Sequence, residues 1–365
     1  MQDSTSATDQ LPEKKCLFLF TELAGYVVAC MKALAATGKV QVHVVRWPVN
    51  AVAPFQFSLE GKNLFFYERA SFTDESLMEF SKKLNPDIII CSGWIDKGYM
   101  KVCKDFRKKI KTILTIDNPW RGTLKQHVAS FAGPLYLHKY YSHCWVPGSP
   151  QRKFASKLGF PQNKITEGVY SADYDLYHQL YYEYLPGKKQ LFPKRIIFVG
   201  RYTKLKGVKE LWEAFISFHR EEPNEWELWC LGKGDMDALF PEHPKIKNFG
   251  FIQPGAMAPF ISGTGVFILP SHYEHWGVVV HEYAAAGFPL ICTTSTSAAT
   301  TFLEEGKNGF FIEPCSTSSM VEVFKKINKL SSDQLLKMGD HSAELAKRIT
   351  PQTWSNTVLG FIQNN

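Results

Sequence analysis

Short apolar runs alternate with segments of helical spacing along this chain, fade near residue 177, and begin again at Arg195. Lys15–Phe20 is such a run; it ends at Thr21-Glu22-Leu23-Ala24-Gly25, and in Tyr26–Ala36 the apolar residues recur as on one face of a helix. Val40–Arg46, Asp87–Cys91 and Thr112–Ile116 read as further strands, with the basic helical stretch Lys97–Lys111 between the last two. Strands this short and this apolar, separated by amphipathic helices, predict a parallel sheet covered on both faces.

The second round runs through a strand at Arg195–Val199, a helix at Val208–Arg220, and strands at Glu227–Leu231 and Val266–Leu269. A last helix follows Pro351, over Thr353–Ile362. At 365 residues the chain exceeds what one core usually supports. The expectation is therefore two α/β domains, 1–176 and 194–350, joined by a linker at 177–193 rich in Tyr, Lys, Pro and Gln, with a closing helix over 351–365 that crosses back to the first domain. Doubly wound sheets bind ligands beyond the carboxyl ends of their strands, so the chemistry is sought in the loops that follow them.

Composition narrows the classes. The chain is 45% hydrophobic and 21% charged, a folded rather than a disordered balance. The first 15 residues are polar and no run of 18 apolar residues follows, which predicts a cytoplasmic protein. Eight scattered cysteines, without a CxxC pair, read as buried reduced thiols, and no metal site is indicated. The formal charge of +7 favours anionic partners without choosing among them. Nucleic acid is disfavoured, because only Lys97–Lys111 approaches the clustered cations with interleaved aromatics that it would want on one face.

Two loops carry the chemistry. Gly200-Arg201-Tyr202-Thr203-Lys204-Leu205-Lys206-Gly207 follows a strand, and Arg201 and Lys206 offer a planar fork and a point charge suited to a diphosphate. Pro270-Ser271-His272-Tyr273-Glu274-His275-Trp276-Gly277-Val278 opens onto a helix that carries Glu282 eight positions after Glu274. Both carboxylates can then face a ligand at that helix start, one for sugar hydroxyls and one for ribose. Taken singly, each loop also fits a solvated basic turn or a chance pair of acids.

Their order decides between these readings. Gly200-Arg201, then Leu231-Gly232-Lys233-Gly234, Gly250-Phe251-Ile252, Pro270 to Glu274, Glu282, Ala286-Gly287-Phe288-Pro289 and Glu304 to Gly309 together resemble the C-terminal domain of retaining glycosyltransferases of the family 4 type. The resemblance spans about Arg195–Pro314 and extends to the first 175 residues in layout only. It implies the GT-B fold, two facing Rossmann-like domains, and a sugar transferred from a nucleotide-diphosphate donor of UDP or GDP type to a saccharide, lipid-linked or small-molecule acceptor, in polysaccharide or glycoconjugate synthesis. Arg201 and Lys206 would hold the diphosphate, Glu282 the ribose and Glu274 the sugar, with backbone amides of His275, Trp276, Gly277 and Val278 assisting and Gly25, Gly200 and Gly232 lining the donor site. The departing phosphate would help deprotonate the acceptor, with neither metal nor cofactor.

Asp117 stands where the family commonly has a histidine, and could meet the donor sugar or orient the acceptor; closing a turn before Asn118-Pro119 is the alternative. Ser297-Ala298 replaces a usual Gly-Gly turn. Two other classes therefore stay open: an epimerase or hydrolase of the same fold, and an inactive relative that only binds. The stretch Lys97–Lys111 could also lie as an amphipathic basic helix against an anionic membrane, or simply pack on the sheet.

Overall fold

The computed structural model describes residues 13–48 and 58–363. The polar start of the chain, from which the cytoplasmic expectation was drawn, thus lies mostly outside the described residues. Its first sheet comes from β1 (Lys15–Phe20), β2 (Gln41–Arg46), β3 (Leu64–Glu68), β4 (Ile88–Ser92), β5 (Lys111–Thr115), β6 (His143–Val146) and β7 (Ile165–Glu167), with helices α1 (Gly25–Ala36), α2 (Asp74–Leu84), α3 (Lys97–Phe106), α4 (Leu124–Tyr136) and α5 (Ser149–Lys157) between them. The strands are parallel in the order β3-β2-β1-β4-β5-β6-β7.

Strand alternation explains why β1 is apolar from Cys16 onward. Leu17 and Leu19 join one core with Tyr99, Val102 and Phe106 of α3, while Cys16, Phe18 and Phe20 join another with Cys30, Met31 and Leu34 of α1. Both faces are covered, so neither half of the alternation can be polar.

After α6 (Tyr174–Gln190) the pattern repeats with β8 (Arg195–Val199), α7 (Val208–Glu221), β9 (Glu227–Leu231), β10 (Ile246–Gly250), α8 (Ala258–Gly263), β11 (Val266–Leu269), α9 (Val278–Ala285), β12 (Leu290–Thr293), α10 (Ala299–Phe302), β13 (Gly309–Ile312), α11 (Thr317–Lys329) and α12 (Ser332–Ala346). The strand order is β10-β9-β8-β11-β12-β13, the same winding as in the first sheet. In each sheet the winding reverses beside its first strand, at β1/β4 and at β8/β11. A crevice opens at such a reversal, which places the loops after β8 and β11 side by side.

Several expectations change. Residues 177–193, read as a weakly periodic linker, lie mostly within α6, whose Tyr177 and Leu180 belong to the core of the second half. Pro186 and several tyrosines blur its apolar period. The face of α3 offered to a membrane is committed elsewhere: Met100, Cys103 and Phe106 are buried against the sheet, so Lys97–Lys111 cannot insert. Of the eight cysteines seven are buried, but Cys315 is exposed in the turn after β13. The closing helix α13 (Pro351–Gln363) packs on the first half: Trp354 stacks on Phe18 at 5.7 Å and donates from Nε1 to Val169 O at 2.9 Å, and Lys111 Nζ donates to Phe361 O at 2.8 Å.

Candidate active site

The loop after β8 is held in place by its neighbours on both sides. Tyr202 is buried, its N–H donates to Lys233 O at 3.0 Å and its hydroxyl reaches Asn248 Oδ1 at 3.1 Å. A β-carbon on Gly232 would stand 1.9 Å from Gly200 O, so two backbones meet where any side chain would intrude. Gly200 and Gly232 therefore shape the loop. With Tyr202 turned inward, Arg201 is left exposed, and the turn at Lys204–Lys206 brings Lys206 round toward the next loop.

That next loop carries Glu274. Its backbone is pinned to the start of α10 by Glu274 N–H to Ser295 O at 3.3 Å and by Ala298 N–H to Trp276 O at 2.9 Å. Lys206 Nζ donates to Glu274 Oε2, and Ser271 Oγ donates to the same oxygen at 3.2 Å. His272 N–H to Leu205 O, at 2.8 Å, ties the two loops directly. Ser297 and Ala298, in place of the Gly-Gly turn, are buried beneath this loop.

Gly277 starts α9 at φ 93° with no side-chain cap for the first amides of the helix. Glu282 lies one turn into α9 and keeps part of its surface open, yet the protein packed round it pushes its carboxyl up to about 7, opposed by the Tyr177 hydroxyl and aided by Asp173. Burial, then the carboxylates of Asp117 and Glu282, raise the phenol of Tyr26 well above its ordinary range. Glu282 thus looks across to the first turn of α1, where Ala24 provides no side-chain cap and the space around Gly25 is open.

The first half reaches over the same crevice. Asp117, after β5, lies 3.8 Å from His275 Nδ1; burial foremost raises its carboxyl, with Glu274 adding to the rise and His275 opposing it. The Arg121 guanidinium sits over the Tyr273 ring at 3.9 Å. Gln151, wholly buried in α5, donates from one Nε2 to Asp117 O at 3.2 Å and to His275 O.

The structure thus brings Lys206, Glu274, His275, Glu282 and Asp117 to one crevice, with Gly25 at the helix start opposite Glu282 and Arg201 exposed in the loop that carries Lys206. The side chain of Trp276 is 2% exposed, packed against Phe302 and Gly148, so this residue can meet a ligand only through its backbone, the part the sequence reading assigned to it. Val278 is half-buried at the helix start. The sequence reading gave no site role to Tyr26, Tyr177, Ser271, Arg121, Tyr273 or Gln151. Gln151 carries no motif, and its buried polar side chain becomes notable only once the two halves are seen together.

Comparison with known proteins agrees with the two-sheet fold. The family of glycosyl transferases group 1 matches residues 187–349. A 2-deoxystreptamine N-acetyl-D-glucosaminyltransferase from Niallia circulans is 27% identical over 144 residues, 37% of this chain and 36% of that protein. The match therefore spans about a third of that relative's length. Among solved structures, a glycosyltransferase from Rickettsia africae aligns with a TM-score of 0.72 at 14% identity, covering 96% of this chain and 98% of the other. Anabaena HepE in complex with UDP aligns at 0.68 and 11%, covering 95% and 100%. The chain thus has the GT-B fold of two parallel-sheet Rossmann-like domains, and residues 187–349 of its second half match the family of glycosyl transferases group 1.

Proposed function

We propose that this protein is a retaining glycosyltransferase that takes a sugar from a nucleoside-diphosphate donor. The observation that carries the reading is the crevice at the β8/β11 reversal, where Lys206 and Glu274 meet and Glu282 faces the uncapped start of α1. One cation with a second beside it, two carboxylates and two helix starts match the parts of such a donor: diphosphate, sugar and ribose.

In this reading Arg201 and Lys206 bind the diphosphate, and the first amides of α1 and α9 add to the field. Glu282 accepts hydrogen bonds from ribose hydroxyls, and Glu274 from hydroxyls of the sugar. As the bond from the anomeric carbon to the phosphate oxygen breaks, charge grows on the diphosphate beside Arg201 and Lys206, which lowers the barrier. The acceptor hydroxyl attacks from the same side, and its proton passes to the leaving phosphate oxygen. The products are the glycoside, with its anomeric configuration kept, and the nucleoside diphosphate. Asp117 orients the acceptor or the sugar. Because fixed cations offset the developing charge, no divalent ion is needed, and a saccharide or lipid-linked acceptor fits the open side of the crevice.

Thermal unfolding with UDP, GDP, ADP or TDP, with and without EDTA, tests this, since a ligand of the folded state raises its stability. A shift with one diphosphate that survives EDTA, followed by release of that diphosphate from the matching donor sugar, is the expected result. No shift with any of them would leave the chain as a relative without donor binding. A shift without sugar transfer or donor turnover would point to a binding protein.

A further inference from the structure

Helix α4 turns the wrong side to water. Leu124, Val128, Phe131 and Leu135 fall at i, i+4, i+7 and i+11, one face of the helix, and are 81, 62, 88 and 77% exposed. The helix meets the protein through small residues on its other side. Gly133 lies so close that a β-carbon there would be 3.1 Å from Leu158 O, and Pro134 sits against Gly159. Single exposed apolar residues are ordinary, but four along one helical face mark a surface that binds something.

The surrounding charge says what. From Asn118 to Thr166 the chain holds seven Lys and Arg and no Asp or Glu. With 42 cations and 35 anions in all, everything outside that segment balances, so the whole formal excess of +7 is carried here. Lys125 lies within α4 and Lys139 just beyond it, while Lys153 and Lys157 are on the exposed side of α5. Lys157 Nζ stands 5.3 Å from the Trp120 ring, itself 5.0 Å from His127 of α4, so α5 brings its cations to the flank of the stripe.

We infer that α4 is a docking helix for an anionic lipid surface: Leu124, Val128, Phe131 and Leu135 enter the interfacial layer while the flanking lysines meet lipid phosphates. Apolar and cationic groups side by side suit that partner, and two copies of the patch would set like charges against each other. Arg121, two residues before the cap of α4, lies over Tyr273 beside Glu274, so docking would bring the mouth of the crevice to the lipid surface. The inference does not depend on glycosyl transfer.

Cosedimentation of the full chain with vesicles of phosphatidylcholine, alone or mixed with phosphatidylglycerol, at low and high salt tests it. Strong binding to the mixed vesicles, weakened by salt, is expected. Phe131→Ser with Leu135→Ser changes only exposed side chains, so it should keep the melting temperature and lower vesicle partition by about tenfold or more. Lys125→Glu with Lys157→Glu should lower it comparably. Wild-type protein that stays in solution with mixed vesicles at low salt would overturn the inference, as would a serine variant that binds undiminished. A concentration-dependent dimer abolished by the serine pair, without vesicle binding, would assign the face to a second copy instead.

Discussion

Lys206 and Glu274 form an ion pair across two loops, their side chains 20% and 16% exposed, and so join the carboxyl ends of β8 and β11 before any ligand arrives. An arriving diphosphate must therefore compete with Glu274 for Lys206. Glu274→Gln keeps the shape and removes the competing charge. Affinity for the nucleoside diphosphate should rise a few-fold while the transfer rate falls about a hundredfold. Calorimetry beside initial rates checks this, and a parallel loss of both would reduce Glu274 to a loop support. Lys206→Met leaves the carboxylate without its cation in a half-closed site and should cost about 1–3 kcal/mol of stability in urea unfolding.

Glu282 makes stability depend on pH in one direction. Its carboxyl sits at about 7 in the folded chain against an ordinary 4.5, so the unfolded chain releases this proton first as pH rises. The native state is penalised progressively between these values and fully above about 7. Glu282→Gln removes the penalty, so the variant should gain about 1–3 kcal/mol over wild type at pH 8 relative to pH 5. Urea unfolding at the two pH values decides it; an unchanged difference would mean the carboxyl is well solvated.

Its neighbour His281 acts oppositely. Stacked on Phe302 at 4.2 Å, it accepts from Ala172 N–H at Nδ1, 2.9 Å, and donates from Nε2 to Ala346 O, 3.0 Å, which fixes a neutral tautomer; burial lowers its pKa from 6.5 to about 4, with the bond to Ala346 O opposing. The unfolded chain takes up this proton as pH falls through 6.5 while the folded one resists. Stability should therefore drop between 6.5 and 4 by up to about 3 kcal/mol. His281→Gln should flatten that part of the profile, and an unflattened profile would place the acid sensitivity elsewhere.

Gly148 is extended, at φ −167°, so its backbone tolerates any residue; the constraint is space. A β-carbon there would stand 2.8 Å from Trp276 Cζ3, on a ring too buried to swing away. Gly148→Val should push the Asp117 side away from the Tyr273–His275 loop and lower turnover at least tenfold, with each half still folded. Small-angle scattering should show a larger radius of gyration. Full activity at unchanged size would show that the crevice needs no close approach there.

Much of the fold was legible because burial on both sheet faces leaves continuous apolar runs: Lys15–Phe20, Arg195–Val199, Glu227–Leu231 and Val266–Leu269 are strands with the bounds read from sequence. Other elements were hidden for definite reasons. In α4 the apolar period points outward and Gly133 and Pro134 interrupt it; in α6 tyrosines spread round the helix; β6 is four residues long. In the site, Glu274, Glu282 and Lys206 could be picked out because loop order names them. Tyr177 beside Glu282 and Gln151 beneath His275 could not, since each matters through a residue more than a hundred positions away.

Helix α13 belongs to the first half by packing though it follows the second in sequence. Trp354 is buried between Phe18 and Trp145, so residues that follow the second sheet in sequence complete the core of the first. The two halves are consequently poor cassettes. Cut between them, the first would be left with an open greasy slot and the second with a stray apolar helix. A chimera that grafts this donor half onto another acceptor half must either carry over the slot in α1 and β1 or redesign α13 to suit its new host.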